Sequence, residues 1–388
     1  FVLGYEVKRS HKMFPCDLCD SLQGRYPKDF VFTGWHPQCY DNISEVLTDH
    51  GWKLFKDVDI YNDNILSLNP QNRHIEYAEI TNYVEYPVNG NMIRFYNKSL
   101  DCLVTEDHNM VYINKSDGSI RTCKSLYYTK GKGGFYRGCI YENEDIKTIN
   151  INGLEIDADL FCEFLGYWLS DGSVIRKSEI VISQKKGQGA RHEIELCISR
   201  IGFDIHGDNN QIIFYSKEIC EYLKPLGKSF TKYIPDFIKN ASVRQIKIFL
   251  DSFIKCDGYI RKSKSFIGNR GNTCHPNDER LYYTTSEQMS GDLTELILKI
   301  GHRPSFSVIM PRVTIKKDGS EIHSRNKCYI IRECKSVTAT VFNKETVNYS
   351  GNVYDLELSK NHIMYIRRNG KCFWGSNCMC YTVPILMN

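Results

Sequence analysis

No apolar run in this chain approaches the roughly 18–20 residues that a membrane-spanning helix needs, which excludes a helical span and leaves no reason to expect a membrane partner. One-sided charge is also missing. The formal net charge is +4 over 388 residues, which permits a nucleic-acid partner without arguing for one. The sixteen cysteines form no dense, regular framework, and no signal peptide precedes them. A reducing, cytoplasmic setting is therefore expected, with the cysteines serving as thiols or metal ligands. The chain opens on Phe1 instead of methionine and is expected to be a fragment of a longer protein. What remains is ordinary globular material, 41% apolar and 25% charged, with room for two or three domains.

Along the chain, residues 1–38 are short and rich in special residues: Cys16-Asp17-Leu18-Cys19, Pro27, and Gly34-Trp35-His36-Pro37-Gln38. Residues 40–150 read as β. Alternating runs at Glu76–Ile80, Met92–Tyr96, Cys102–Thr105 and Met110–Ile113 are separated by turn signals at Asn89-Gly90-Asn91 and Ser116-Asp117-Gly118-Ser119. From about residue 157 helical periodicity takes over, and near 336–377 the pattern returns to β.

The middle region is repeated. Leu160, Phe161, Phe164, Leu165, Trp168 and Leu169 share one helical face that ends at Asp171-Gly172. Ile246, Phe249, Leu250, Phe253 and Ile254 do the same, ending at Asp257-Gly258. Each is followed by a strand-like run and a helix, at 179–183 and 192–201, and again at 280–285 and 287–300. Gly202 and Gly301 close those helices. Two such units predict a pseudo-dimer. Gly166 and Ser252, at equivalent positions, supply the small side chains that a close helix crossing demands. Each helix then delivers a carboxylate to one place. Two carboxylates at helix C-termini repel each other and the helix dipoles, unless divalent cations bind between them. A single Asp-Gly pair is more simply a helix stop; the matched pair favours a shared site able to clamp a phosphodiester.

Phe164-Leu165-Gly166-Tyr167-Trp168-Leu169-Ser170-Asp171-Gly172 and Leu250-Asp251-Ser252-Phe253-Ile254-Lys255-Cys256-Asp257-Gly258 resemble the two motifs of a LAGLIDADG homing endonuclease. Lys232-Tyr233-Ile234-Pro235 is similar to that family's intermediate block. The resemblance implies an αββαββα pseudo-two-fold fold, Mg²⁺ held by Asp171 and Asp257, a functional Lys232, and cleavage of double-stranded DNA. The basic residues Arg261, Lys262, Lys264 and Arg270 suit phosphate contacts.

The flanking β-rich segments carry a second constellation. Cys39 opens a block running to Val46-Leu47-Thr48-Asp49-His50-Gly51-Trp52-Lys53; Thr105-Glu106-Asp107-His108 follows; then come Val353-Tyr354-Asp355 through His362, and Gly375-Ser376-Asn377-Cys378. Each is weak alone: a lone Thr-x-x-His is usually structural, and lone cysteines are more often zinc ligands. In this order they resemble the blocks of an intein. The resemblance implies an α+β multidomain chain, with an all-β Hint (hedgehog/intein) splicing domain interrupted by the endonuclease. Residues 1–38 become the upstream flank, 39–150 and 336–377 the two parts of the splicing domain, 151–335 the nuclease, and 378–388 the downstream flank. It implies nucleophiles at Cys39 and Cys378, polarisation of the first amide by Thr105 and His108, thiol transfer organised by Asp355, and cyclisation of Asn377. Inteins usually carry histidine before the final asparagine. Here Ser376 stands there, and a hydroxyl cannot shuttle a proton near neutral pH as imidazole can. His362 is expected to carry more of that step, with slower splicing. A hedgehog-type domain cleaving only at Cys39 is the competing reading, and the Asn377-Cys378 pair argues against it. The DNA partner implied is the joining site that lacks the insertion.

Excision of 39–377 would join Gln38 to Cys378. The joined flanks resemble the C-terminal part of a phage Mu-type head morphogenesis protein, whose partners are capsid and portal proteins and whose final place is the virion. They offer Cys16, Cys19, His36, Cys378 and Cys380, either a tetrahedral Zn²⁺ site or a set of buried thiols. A phage structural zinc protein with an inert insertion remains the alternative from another class.

Overall fold

The computed structural model describes residues 2–9, 23–29, 38–187, 189–263, 265–267, 273–274, 278–315, 321–377 and 380–386. The protein is α+β with strands predominating. It divides into two compact units, residues 1–140 with 336–388, and residues 141–335. Residues 141–150, expected with the first β-rich segment, lie in the second unit. Thr148–Ile151 forms a hairpin there with Leu154–Asp157, and the Ile146 N–H donates to the Gln245 side chain.

The described part of the first unit is β with two short 3-10 turns. Its longest element is Ile75–Asn97, paired antiparallel with Asn343–Leu358 from Tyr96↔Asn343 to Ile80↔Leu358. The turn expected at Asn89-Gly90-Asn91 is not a turn. Those residues sit inside the strand opposite Ser350, Tyr349 and Asn348. A partner strand of matching length satisfies the backbone, which outweighs the local turn preference. The turn at 116–119 does form, with Gly118 at φ +69° in the left-handed region. Beyond the long pair, Leu100–Thr105 lies against Met92–Asn97, and Ile363–Arg368 forms a hairpin with Lys371–Ser376. The core is aromatic: Tyr40, Phe55, Phe95, Tyr128, Phe135, Phe342 and Phe373 are all buried. A smaller sheet pairs Val2–Arg9 antiparallel with both Gly24–Pro27 and Cys380–Leu386.

The second unit holds α1 (Ala158–Asp171), α2 (Arg191–Ile201), α3 (Lys217–Leu223), α4 (Asp236–Lys239), α5 (Val243–Asp257) and α6 (Glu287–Lys299). α1 is capped by Asp157, whose carboxylate accepts the Leu160 N–H; α5 and α6 are capped in the same way by Ser242 and Ser286. α2 ends on Gly202 at φ +106°. Strands Glu179–Ser183 and Glu279–Thr284 follow the two Asp-Gly pairs. α1 and α5 cross with Gly166 at the contact. A Cβ on Gly166 would lie 2.0 Å from Ser252 Oγ and 2.6 Å from the Phe249 carbonyl oxygen, so only glycine fits. Among the described residues, no helix is long and apolar enough to cross a membrane.

Candidate active sites

The first site gathers around Cys39, which is buried together with Gln38, Thr105, His108, Asp355, His362, Ser376 and Asn377. Sheet pairing brings these distant positions together. Tyr40 exchanges two 2.9 Å backbone bonds with Tyr354, next to Asp355. Thr105 brackets Cys39: its N–H donates to the Cys39 carbonyl and its Oγ1 accepts the Cys39 N–H, each at 3.1 Å. The nitrogen of the Gln38–Cys39 amide is therefore held by Thr105. The His108 N–H reaches back to the Thr105 carbonyl at 3.1 Å, which closes the Thr-x-x-His turn.

The His108 ring is fully enclosed and meets the Tyr40 ring edge-on, with centroids 4.6 Å apart. Burial drives its pKa down to about 3, opposed by a hydrogen bond with the Gln38 backbone. His108 is thus neutral at rest and close to the bond it is expected to act on.

At the other end, the Asn377 N–H donates to the His362 carbonyl at 3.2 Å, and Asn377 Nδ2 donates to the Leu356 carbonyl at 2.7 Å. His362 and Asn361 both lie in the left-handed region, at φ +54° and +65°. That is a strained turn for two residues other than glycine, and it sets the carbonyl that holds Asn377. The Ser376 hydroxyl donates to the Asn109 carbonyl, while Asn109 Nδ2 donates to Gln38 Oε1 at 2.9 Å. Asn109 therefore ties the first end of the segment to the last. Tyr40 and Asn109 escaped sequence reasoning as site residues, although each adjoins a motif residue; Gly375 is legible there only as part of the last block. Cys378 lies outside the described residues, as do Cys16 and Cys19, His36, Lys264 and Arg270; of Cys380 only the backbone is described.

The second site lies where α1 and α5 end. Asp171 and Asp257 are the last helical residues, followed by Gly172 and Gly258 at φ −91° and −147°. These glycines do not turn left-handed; they make room. A Cβ on Gly172 would strike the Trp168 ring at 2.3 Å, and one on Gly258 would strike Ile254 at 2.2 Å. Burial raises the pKa of both carboxyls; the charge of Asp171 lifts Asp257 further, to about 6, while hydrogen bonds from Gln184 and Cys256 and the charge of Lys232 hold Asp171 back. The Gln184 amide donates to Asp171. Two mostly buried carboxyls that resist ionisation side by side suit a divalent cation, which would relieve both penalties.

Lys232 reaches this centre, but its ammonium donates to three main-chain carbonyls, of Trp168, Leu169 and Gly172, at 2.8–2.9 Å. It caps the end of α1, over the Trp168 ring. Lys232→Met is expected to destabilise this unit by about 2–4 kcal/mol, since three buried carbonyls lose a charged donor; urea denaturation measures it. Of the four basic residues expected at DNA phosphates, the two described ones are already paired, Arg261 with Glu279 at 3.0 Å and Lys262 with Asp278 at 2.7 Å. Asp49, His50 and Asp63 also converge, but Lys53 Nζ lies 2.7 Å from both Asp63 oxygens and supplies the cation there.

No family model matches the chain. Among curated proteins it is similar to an ATP-dependent Clp protease proteolytic subunit of Chlamydomonas moewusii, 23% identical over 319 residues, covering 72% of this chain and 30% of that one. It is also similar to a DNA-directed RNA polymerase subunit beta C-terminal section of Stigeoclonium helveticum, 22% identical, covering 87% of this chain and 36% of that one. The chain thus spans about a third of the length of these relatives. Solved structures similar to parts of it include the AceL NrdHF class 3 split intein, with a TM-score of 0.24, 19% identity, and coverage of 26% of this chain and 63% of that one. They also include the homing endonuclease I-DmoI, with a TM-score of 0.29, 11% identity, and coverage of 45% and 88%. I-DmoI bound to DNA and Mn gives a TM-score of 0.27, 12% identity, and coverage of 45% and 89%.

Proposed function

We propose that the segment from Cys39 to Asn377 excises itself and joins Gln38 to Cys378, and that the second unit cuts double-stranded DNA with a divalent cation. The observation that carries the first part is the burial of both ends of the segment in one site, linked through Asn109 and Tyr40. A further support is that the two curated relatives have unrelated names, yet each matches most of this chain over about a third of its own length. A mobile insertion carried by different hosts accounts for that pattern.

The chemistry runs in four steps. Cys39 Sγ attacks the Gln38 carbonyl carbon, the C–N bond to Cys39 breaks, and a thioester forms. Because His108 is neutral at rest, it first takes the thiol proton and then delivers it to the departing nitrogen, which Thr105 holds. Cys378 Sγ then attacks the same carbonyl and releases the Cys39 thiol, a transfer that the buried Asp355 would organise. Asn377 Nδ2, polarised by the Leu356 carbonyl, attacks the Asn377 carbonyl carbon. That breaks the bond to Cys378 and leaves a succinimide and a free amine. The amine attacks the thioester, giving a Gln38–Cys378 amide and a free Cys378 thiol.

In the second unit Asp171 and Asp257 would hold Mg²⁺, which when bound supplies charge stabilisation to a phosphodiester. Gln184 orients Asp171, and Lys232 fixes the helix end that carries it. A second reading, splicing with an inactive nuclease, is favoured by one observation: all three Lys232 donors are committed to the backbone. For the flanks we keep the phage head reading, with capsid and portal partners and a Zn²⁺ site completed by ligation. Equal zinc content before and after ligation would count against that site.

The test is expression with a tag at each end. A ligated product carrying both tags and a free excised species are expected, and both should disappear in Cys39→Ala. A chain that stays whole under all conditions of pH and temperature would sink the splicing reading.

A further inference from the structure

Ring closure at Asn377 needs its Nδ2 brought onto its own carbonyl carbon, and every rotation left free upstream lowers the fraction of time spent in that geometry. The peptide unit between Ser376 and Asn377 has two polar atoms, and both are pinned. The Asn377 N–H is held by the His362 carbonyl. The Ser376 carbonyl accepts a 2.8 Å hydrogen bond from the Tyr40 hydroxyl, across 336 positions of sequence. Tyr40 is itself rigid: its backbone is paired both ways with Tyr354, and its ring stacks on Phe55 at 5.3 Å and meets His108 edge-on. The fold also clears space for this hydroxyl. A Cβ on Gly375 would lie 1.9 Å from it, so the residue before Ser376 has to be glycine for the contact to exist.

We propose that Tyr40 is a positioning residue for release at Asn377, its hydroxyl locking the last peptide plane for cyclisation where Ser376 supplies no imidazole. This rests on the splicing reading above. With the plane clamped at both ends, only the Asn377 side chain and its own carbonyl have to turn. The clamp comes from the residue next to the first nucleophile, so the element that holds the C-terminal bond is built into the N-terminal site. Tyr40 touches no reacting atom, and its action is through the Ser376 carbonyl.

Two full-length backgrounds separate the steps. In Asn377→Ala, dithiothreitol releases residues 1–38 and reports thioester formation alone. In Cys39→Ala, release of the downstream flank, with a succinimide on the excised end, reports cyclisation alone. Tyr40→Phe keeps the ring and removes the oxygen. It is expected to slow cyclisation about tenfold, the loss of one well-placed hydrogen bond, while thioester formation stays within about twofold. Gly375→Ala should reproduce that split and add little on top of Tyr40→Phe, as two changes to one contact do. Unchanged cyclisation in Tyr40→Phe, or equal slowing of both steps, overturns the positioning role while leaving splicing intact. If neither background releases a flank with Tyr40 in place, the splicing reading and the inference built on it both fall.

Discussion

Replacing His108 with glutamine is expected to slow thioester formation at Gln38 by about 10²–10⁴-fold, the range carried by a positioned proton-transfer group. The bond to be broken is an unactivated amide, and its nitrogen must leave with a proton. Thr105 holds that nitrogen but has no means of supplying charge at neutral pH. His108, on the turn whose Thr105 holds that nitrogen, carries an imidazole that can take a proton and return it. Dithiothreitol-induced release of residues 1–38 measures the effect. The same variant should change how stability depends on pH. Burial holds the folded pKa near 3, while the unfolded imidazole titrates near 6.5. Between those values the unfolded chain binds a proton that the folded chain refuses, so stability falls as pH drops from 6.5 towards 3 and is untouched above 6.5. The full difference is about 4–5 kcal/mol, and glutamine should remove that component. Urea denaturation at pH 7.5 and 4.5 checks it; an unchanged difference between the two pH values in His108→Gln would show that this imidazole titrates normally.

The second large effect belongs to the carboxylate pair. The double variant Asp171→Asn, Asp257→Asn is expected to lose DNA cleavage by 10³-fold or more, because the charge that holds the cation is gone. It should also be more stable than the parent in metal-free buffer at neutral pH. Both folded carboxyls have raised pKa values, so their contribution to stability is intact below the unfolded value of 3.8. For Asp257 it is lost as pH rises through about 6. The gain should therefore appear above about pH 6 and vanish near pH 4. Added Mg²⁺ should raise the Tm of the parent and leave the variant alone. Equal cleavage by parent and variant would remove these residues from the reaction.

The sequence made the repeat and the block order readable because both are written in local spacing. Apolar residues at helical intervals located α1 and α5, and the small residues at 166 and 252 mark their crossing. Long-range contacts left no such trace. Tyr40 and Ser376 meet only because Tyr40 pairs with Tyr354 and Ser376 pairs with Ile363. Nothing in the spelling of Asn109 announces that it bonds to Gln38. Lys232 shows the limit from the other side. Its motif was visible, but not that three carbonyls would occupy its ammonium. The Asn89-Gly90-Asn91 signal misled because turn propensity is weak beside a long partner strand.

If the chain is cut as proposed, the small sheet between Val2–Arg9 and Cys380–Leu386 bears on the outcome. A splint does not set a fracture, but it keeps the pieces in register until they knit. Strands paired from Arg9↔Cys380 to Val2↔Leu386 hold the two flanks as neighbours whether or not a covalent path runs between them. A cut made too early, at either junction, then leaves the fragments at high local concentration instead of losing one to solution. On a denaturing gel such a molecule is in pieces, whereas on a native one it still migrates as a single particle.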